Sequence, residues 1–470
     1  MAQQYYDVNL NKFSNNNQTH TTIQTPVFLK MDSLIRMDTS MITMRIAPEI
    51  IVSNYHDIIK FQTGAVVSIE GTYCSKWGYM ADFRLGLVNQ EPIAYTSSLQ
   101  AKSIFTIPVY TQNDATRYLM YIDIRGKVEY RPFSNLHLTA GVDKLVLGEG
   151  DRSVIFGGQG ISSPYAALDF TYWKFKYDFI HQFWNERTYG NISPKGNATH
   201  YLSVKPNKKW TVGLFESVVY DMKDTLYPRG FELEYLNPLS FFRSAEYGLG
   251  SADNLVLGIN ASYKQKNTVF YGQLLIDDFL LSAYREQNGW WSNKFALQLG
   301  IKGNIKRDSS KSFFYRTELN IVKPYMFSHV NKSIVFGNQG MPVSHPLGSN
   351  FIELYQEVSY INPIWSYHYW IQFLIKGNDF FSNNPQSSFG GDIYRSYKYR
   401  PYEFKNKIGQ GSTDHSIQLG MQISKKLSDG YLMSFIEPKI KFTNTEGINY
   451  AAFFLSIGLQ KQIGADRRNY

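Results

Sequence analysis

The chain has 470 residues, 43% hydrophobic and 16% aromatic, with 35 Tyr and 32 Phe and a formal net charge of +9. That aromatic-rich profile excludes a large helical enzyme built on Leu and Ala, the stronger helix formers, and suits strands instead. The positive charge describes Lys and Arg scattered through loops, or a surface that attracts an anionic partner such as lipopolysaccharide phosphates or acidic polysaccharide. No basic run of five residues and no nucleic-acid-binding signature occurs, which sets nucleic acid aside.

Cys74 is the sole cysteine, so no intrachain disulfide can form. That fits a cytosolic protein, and equally a closed strand barrel whose hydrogen-bond ladder needs no staple. No apolar run approaches the roughly 20 residues of a membrane helix, so only a closed barrel could span a bilayer here. Ala2-Gln3-Gln4 reads as the start of a chain after removal of a secretory signal. Residues 1–60 are expected to form an N-terminal periplasmic or plug-like segment, polar over 14–20 and a short helix over 29–44. Residues 61–470 are expected to form the barrel.

From residue 61 the pattern has a period of two. Trp77, Tyr79, Ala81, Phe83, Leu85 and Leu87 share one parity, as do Trp173, Phe175, Tyr177, Phe179, His181 and Phe183. Trp210, Val212 and Leu214 alternate with Thr211, Gly213 and Phe215. Phe295, Leu297, Leu299 and Ile301 oppose Lys294, Gln298 and Lys302, and Phe313, Tyr315, Leu319 and Ile321 oppose Arg316, Glu318 and Asn320. Ala451, Phe453, Leu455, Ile457 and Leu459 close the series against Ser456, Gly458 and Gln460. The runs are about 10 residues long, longer than ordinary soluble strands, and are separated by turn-forming clusters. The fold class is therefore all-β, a transmembrane antiparallel barrel of about 18 strands.

The residues carry little catalytic chemistry. Residues 148–153, Gly-Glu-Gly-Asp-Arg-Ser, lack phosphate-loop spacing and read as a tight turn or as a lumen contact through Asp151 and Arg152. Asp277 and Asp278 adjoin on a strand and so point to opposite faces, which excludes a glycosidase pair. Glu232 with Glu234, and Glu353 with Glu357, share faces as solvated carboxylates commonly do. His329 and His345 flank one segment, but no metal-ligating spacing occurs. Neither a nucleophile elbow nor a signature around Cys74 is present, so no enzyme, cofactor or metal is expected. Trp290 and Trp291 follow an Asn-Gly turn and read either as an interfacial belt or as a sugar-stacking surface.

The central stretch 230–258 carries Glu234, Arg243, Glu246 and Asp253 between two extended segments, and reads as functional surface at the mouth or lumen. Together with residues 141–145 and 148–153, it brings a family into view. Glu234-Tyr235-Leu236-Asn237-Pro238, Phe241-Phe242-Arg243-Ser244 and Gly250-Ser251-Ala252-Asp253-Asn254 resemble the central motif of the capsule-assembly Wzi-like outer-membrane proteins. Gly289-Trp290-Trp291-Ser292-Asn293-Lys294, residues 324–329 and residues 345–351 look like the version found in Bacteroidetes-type bacteria, some of whose members are labelled as gliding-motility proteins. The resemblance spans residues 141–353 and implies an outer-membrane lectin-like barrel that anchors or guides capsular polysaccharide. The expected ligand site combines Asp151, Arg152, Arg243, Glu246 and Asp253 with Trp290 and Trp291. The alternatives are an accessory component of gliding motility or protein secretion, with motility or secretion proteins as partners, and a glycan porin.

Overall fold

The computed structural model describes residues 36–37, 40–55, 58–74, 76–90, 105–109, 117–158, 161–188, 191–223, 232–237, 253–278, 281–286, 288–306, 311–379, 387–427 and 432–461. The main sheet has 20 strands, two of them the short edge pieces Arg36–Met37 and Phe105–Val109; the remaining 18 close into an antiparallel barrel. In chain order they are β1 (Ser40–Tyr55), β2 (Ile58–Tyr73), β3 (Trp77–Gln90), β4 (Arg117–Phe133), β5 (Leu136–Asp143) and β6 (Ser163–Tyr172). Then come β7 (Phe175–Thr188), β8 (Asn191–Val204), β9 (Trp210–Asp221), β10 (Asn254–Gln265), β11 (Thr268–Ile276) and β12 (Phe295–Lys306). The last six are β13 (Ser312–Val322), β14 (Phe351–Ile361), β15 (Trp365–Asn378), β16 (Ser412–Lys426), β17 (Leu432–Thr445) and β18 (Ile448–Lys461). Each strand pairs with the next, and β1 closes on β18 through Ile50–Asn54 against Leu455–Leu459.

The pattern of burial is inverted relative to a soluble sandwich. Leu214 is 59% exposed and Leu299 49%, whereas Arg316 and Glu318 are at 0%. Apolar side chains face out and charged ones face in, because lipid lies outside and hydrogen-bond partners lie inside. With no helix long and apolar enough to cross a membrane among the described residues, the strands are the membrane-spanning elements.

The connections differ sharply at the two ends. Turns such as 134–135, 173–174, 266–267 and 362–364 close one end; the connections 144–162, 222–253, 277–294, 323–350 and 379–411 all lie at the other. Short turns mark the periplasmic side and long connections the extracellular side. An aromatic girdle rings the short-turn end. Trp77 stacks on Tyr130 at 4.3 Å, Trp210 lies 4.8 Å from Tyr263, and Trp173 is 73% exposed beside Phe175. Indole and phenol rings favour this boundary because one part of each is apolar and the other polar.

Three expectations change. The barrel begins at Ser40 rather than at residue 61: the β1 ladder runs from Ser40↔Tyr73 to Tyr55↔Ile58. Its Met, Thr and Arg residues and Pro48 hide the alternation, so residues 40–44, expected to be helical, are strand; residues 1–35 lie outside the described residues. The long run through Trp173 is two strands, because Trp173 takes a left-handed φ of 54° and turns the chain back. An aromatic at that position gave no turn signal. Asp277 and Asp278 sit just beyond β11 and both reach Lys294, at 2.8 and 3.0 Å; past the strand end the rule of opposite faces no longer applies.

Candidate functional site

The connection 144–162 does not project outward. It folds into the lumen, and its residues 148–153 dock on the inner wall of β11–β14. Glu318 of β13 accepts the backbone N–H groups of Asp151 (2.6 Å) and Arg152 (3.3 Å) and the Tyr271 hydroxyl (2.6 Å). The Arg152 guanidinium pairs with Glu353 of β14 and lies 4.2 Å over the Tyr355 ring. Glu353 also accepts from Asn320 (2.9 Å) and Gln372 (2.5 Å) and bonds the His345 ring at 2.9 Å. Arg316 reaches both Asp151 and Glu357, while Lys302 donates to the Glu149 backbone oxygen at 2.7 Å and pairs with its carboxylate.

Two inward glutamines bond the plug's backbone. Gln273 accepts from Val154 N–H and Ser153 Oγ and donates to Leu147 O; Gln298 donates to Arg152 O at 2.8 Å. The glycines permit this approach. A Cβ on Gly148 would stand 1.8 Å from the Gln273 amide and one on Gly150 2.0 Å from that of Gln298; Gly148 also holds φ +107°.

Toward the long-loop end the plug becomes apolar. Leu147, Val154, Ile155 and Phe156 pack with Met326, Phe327 and Phe336 from the connection 323–350, against Trp184, Phe215 and Val219 of the wall. Phe156 stands 5.7 Å from Phe336 and 5.9 Å from Phe215. Burial of this many aromatic and aliphatic groups inside a barrel makes a packed core of a space that a pore would leave wet.

Part of the central motif lies on the other side of the wall. Ala198, Val218 and Tyr220 share the face of the exposed Leu202 and Leu214, yet they are buried, because Tyr235 covers them. The rings of Tyr235 and Tyr220 are 5.0 Å apart, and the Tyr235 hydroxyl donates to Asp253 at 2.6 Å. The turn Leu233–Leu236 thus straps the outer face of β8–β9, contrary to the expected position at the mouth or lumen.

Outside the membrane, the connections 277–294 and 379–411 brace each other. Asn288 and Gly289 accept from the N–H groups of Lys405 (2.8 Å) and Asn406 (2.9 Å), and Trp291 N–H donates to Glu403 O at 3.0 Å. Trp291 is enclosed by Tyr397 (4.7 Å), Tyr325 (6.1 Å) and Arg400, whose guanidinium lies 4.1 Å over the indole. Lys294 lies beneath, held above its ordinary pKa because Asp277 and Asp278 outweigh the effect of burial. Burial pushes Asp277 up to about 6 against the pull of Lys294. His329 lies beside Tyr397 and is pushed down to about 4 by burial, whereas His345 bonds Glu353; the two histidines take separate partners.

The chain has the fold of an outer-membrane barrel. Escherichia coli Wzi, an outer-membrane protein involved in group 1 capsule assembly and a carbohydrate-binding β-barrel, is similar at a TM-score of 0.55 and 12% identity, over 88% of this chain and 83% of Wzi. Pseudomonas aeruginosa OprD matches at a TM-score of 0.44 and 10% identity over 90% of this chain and 96% of its own; Acinetobacter baumannii OccAB1 matches at 0.45 and 11%, over 92% and 98%. No protein-family model matches the chain, and no curated protein matches it by sequence. The likeness to Wzi is one of fold; the closed 18-strand barrel with its apolar exterior places the protein in the outer membrane.

The expected site residues do not form one constellation. Asp151 and Arg152 are buried in the plug, Asp253 holds the strap, and Trp290 and Trp291 belong to the extracellular brace, 6.4 Å apart. Trp291 packs against loop aromatics rather than standing in an interfacial belt. Arg243 and Glu246 lie outside the described residues. Among the described residues no group of three or more His, Cys, Asp or Glu is placed to hold a metal. Glu353 and Glu357, read from the sequence as solvated carboxylates, are buried partners of Arg152 and Arg316; sequence reasoning missed the wall residues Gln273 and Tyr271 and the extracellular Tyr399, Tyr402 and Phe404. For the last three a signal existed: aromatics interleaved with Lys and Arg over residues 395–407.

Proposed function

We propose that the protein is a plugged outer-membrane barrel that holds surface polysaccharide on its extracellular loops. The observation that carries the reading is the filled lumen. With Leu147 and Val154–Phe156 packed against Met326, Phe327, Ile334 and Phe336 inside the wall, the working surface is the braced outer face rather than a channel. The carbohydrate-binding barrel of Wzi, similar in fold, supports the choice of polysaccharide.

Deletion of the gene strips polymer from the cell surface while polymer continues to appear in the medium. Surface polymer that stays in place after deletion would refute the reading. Purified protein in planar bilayers gives little or no conductance; steady ohmic conductance would instead favour a glycan porin.

A further inference from the structure

The extracellular segment 392–407 carries five cations, Arg395, Lys398, Arg400, Lys405 and Lys407, against two carboxylates, Asp392 and Glu403. Large rings alternate with them. Tyr399 is 43% exposed, Tyr402 58% and Phe404 51%, beside the exposed Lys398, Lys405 and Lys407. Three exposed large rings between residues 399 and 404 of a polar extracellular segment offer apolar contact surface to a partner.

The segment is also rigid in its connections. Asn406 donates to the backbone oxygens of Gly289 and Tyr402 and accepts from Gln410. Ser396 Oγ donates to Val330 O at 2.9 Å, tying the segment to the connection 323–350 as well. It is thus held to two neighbouring connections at the long-loop end, and its rings are presented with little ordering left to do on binding.

We propose that this edge docks an acidic polysaccharide, with sugar rings stacked on Tyr399 and Tyr402 and sugar carboxylates met by Lys398, Lys405 and Lys407. The proposal rests on the polysaccharide reading above and adds the charge of the polymer and the place where it lies. Charge complementarity favours an acidic chain: the exposed carboxylate of Glu403 is already engaged by Arg400, which leaves the three lysines facing water. Stacking supplies the apolar contact that a polyanion alone would not need.

The test uses the full-length protein in detergent and the exopolysaccharide released by the bacterium that makes it. The polymer is offered in native form and after chemical reduction of its carboxylates to alcohols. Native polymer binds more tightly, and its affinity falls as salt rises. Lys398→Glu/Lys405→Glu/Lys407→Glu weakens binding by at least about tenfold, and Tyr399→Ala/Tyr402→Ala weakens native and reduced polymer alike. All these side chains are exposed, so both variants keep the heat-resistant gel migration of a folded barrel. Equal binding of native and reduced polymer, or undiminished binding by both variants, overturns the acidic-edge proposal and leaves the polysaccharide reading standing. Failure of the unaltered protein to bind either form sinks both. Binding of polymer-free lipopolysaccharide that the lysine variant abolishes, with polymer binding unchanged, assigns the edge to membrane phosphates and overturns the proposal.

Discussion

Charge is used in opposite ways in the lumen and on the extracellular edge. In the lumen Arg152, Arg316 and Lys302 each meet a carboxylate, and the carboxylates collect further donors from the wall. At residues 395–407 the lysines face water beside exposed rings. The lesson is that the Asp-Arg pair most suggestive of a ligand in the sequence is buried in holding the barrel's interior, whereas the surface we propose for recognition lies in an ordinary-looking loop. Buried ion pairs are costly to break singly and cheap to replace as a unit, while exposed charges contribute little to folding and remain available to a partner.

Several substitutions break or sharpen that contrast. The largest effect belongs to Arg152→Met, which leaves Glu353 buried without its guanidinium and lowers stability by about 3–5 kcal/mol. Unfolding in urea, followed by gel migration, reads the loss, and planar-bilayer recordings show conductance appearing as the plug loosens. An unchanged midpoint and a silent bilayer would mean that the plug does not depend on this pair. Gly148→Val forces a side chain into Gln273 at a left-handed backbone position and costs about 1–3 kcal/mol in the same assay. Replacing Lys405 or Lys407 by Gln leaves the midpoint within about 0.5 kcal/mol; a larger drop would erase the distinction between the two regions.

Two smaller effects refine it. Tyr235→Phe removes the hydrogen bond to Asp253 and costs about 1 kcal/mol, seen as faster protease nicking of the connection 222–253 with the barrel intact. Burial holds Asp277 near 6, above the ordinary carboxylate range of about 3.9. Because the folded value is raised, the stability contributed by this group is present below about pH 4 and lost as pH rises through about 6. Protease resistance of the connection 277–294 should fall across that window, and Asp277→Asn should flatten the profile.

The barrel itself was legible because its signal is local. Alternation over β12 and β13 assigned Leu299 to lipid and Gln298, Arg316 and Glu318 to the interior, and strand length pointed to a membrane. What fills the interior was not legible. Arg152 meets Glu353 across 201 residues of sequence, a pairing that leaves no trace in the neighbourhood of either one. The outer strap was hidden for a related reason: a Tyr in a polar loop carries no mark of the wall it will cover. The start of β1 was missed because Met, Arg and Pro blur a two-residue rhythm that Val and Phe would have declared.

Among the described residues the ladder that closes β1 on β18 joins Ile50–Asn54 to Leu455–Leu459, while β1 and β2 zip from Ser40 to Tyr55 as one local hairpin. Closure of the cylinder therefore needs a suture between strands about 400 residues apart, a contact that no local turn prepares. A pair of cysteines placed across that suture would lock the circle and separate events that need the wall to gape from those that need only the outer loops.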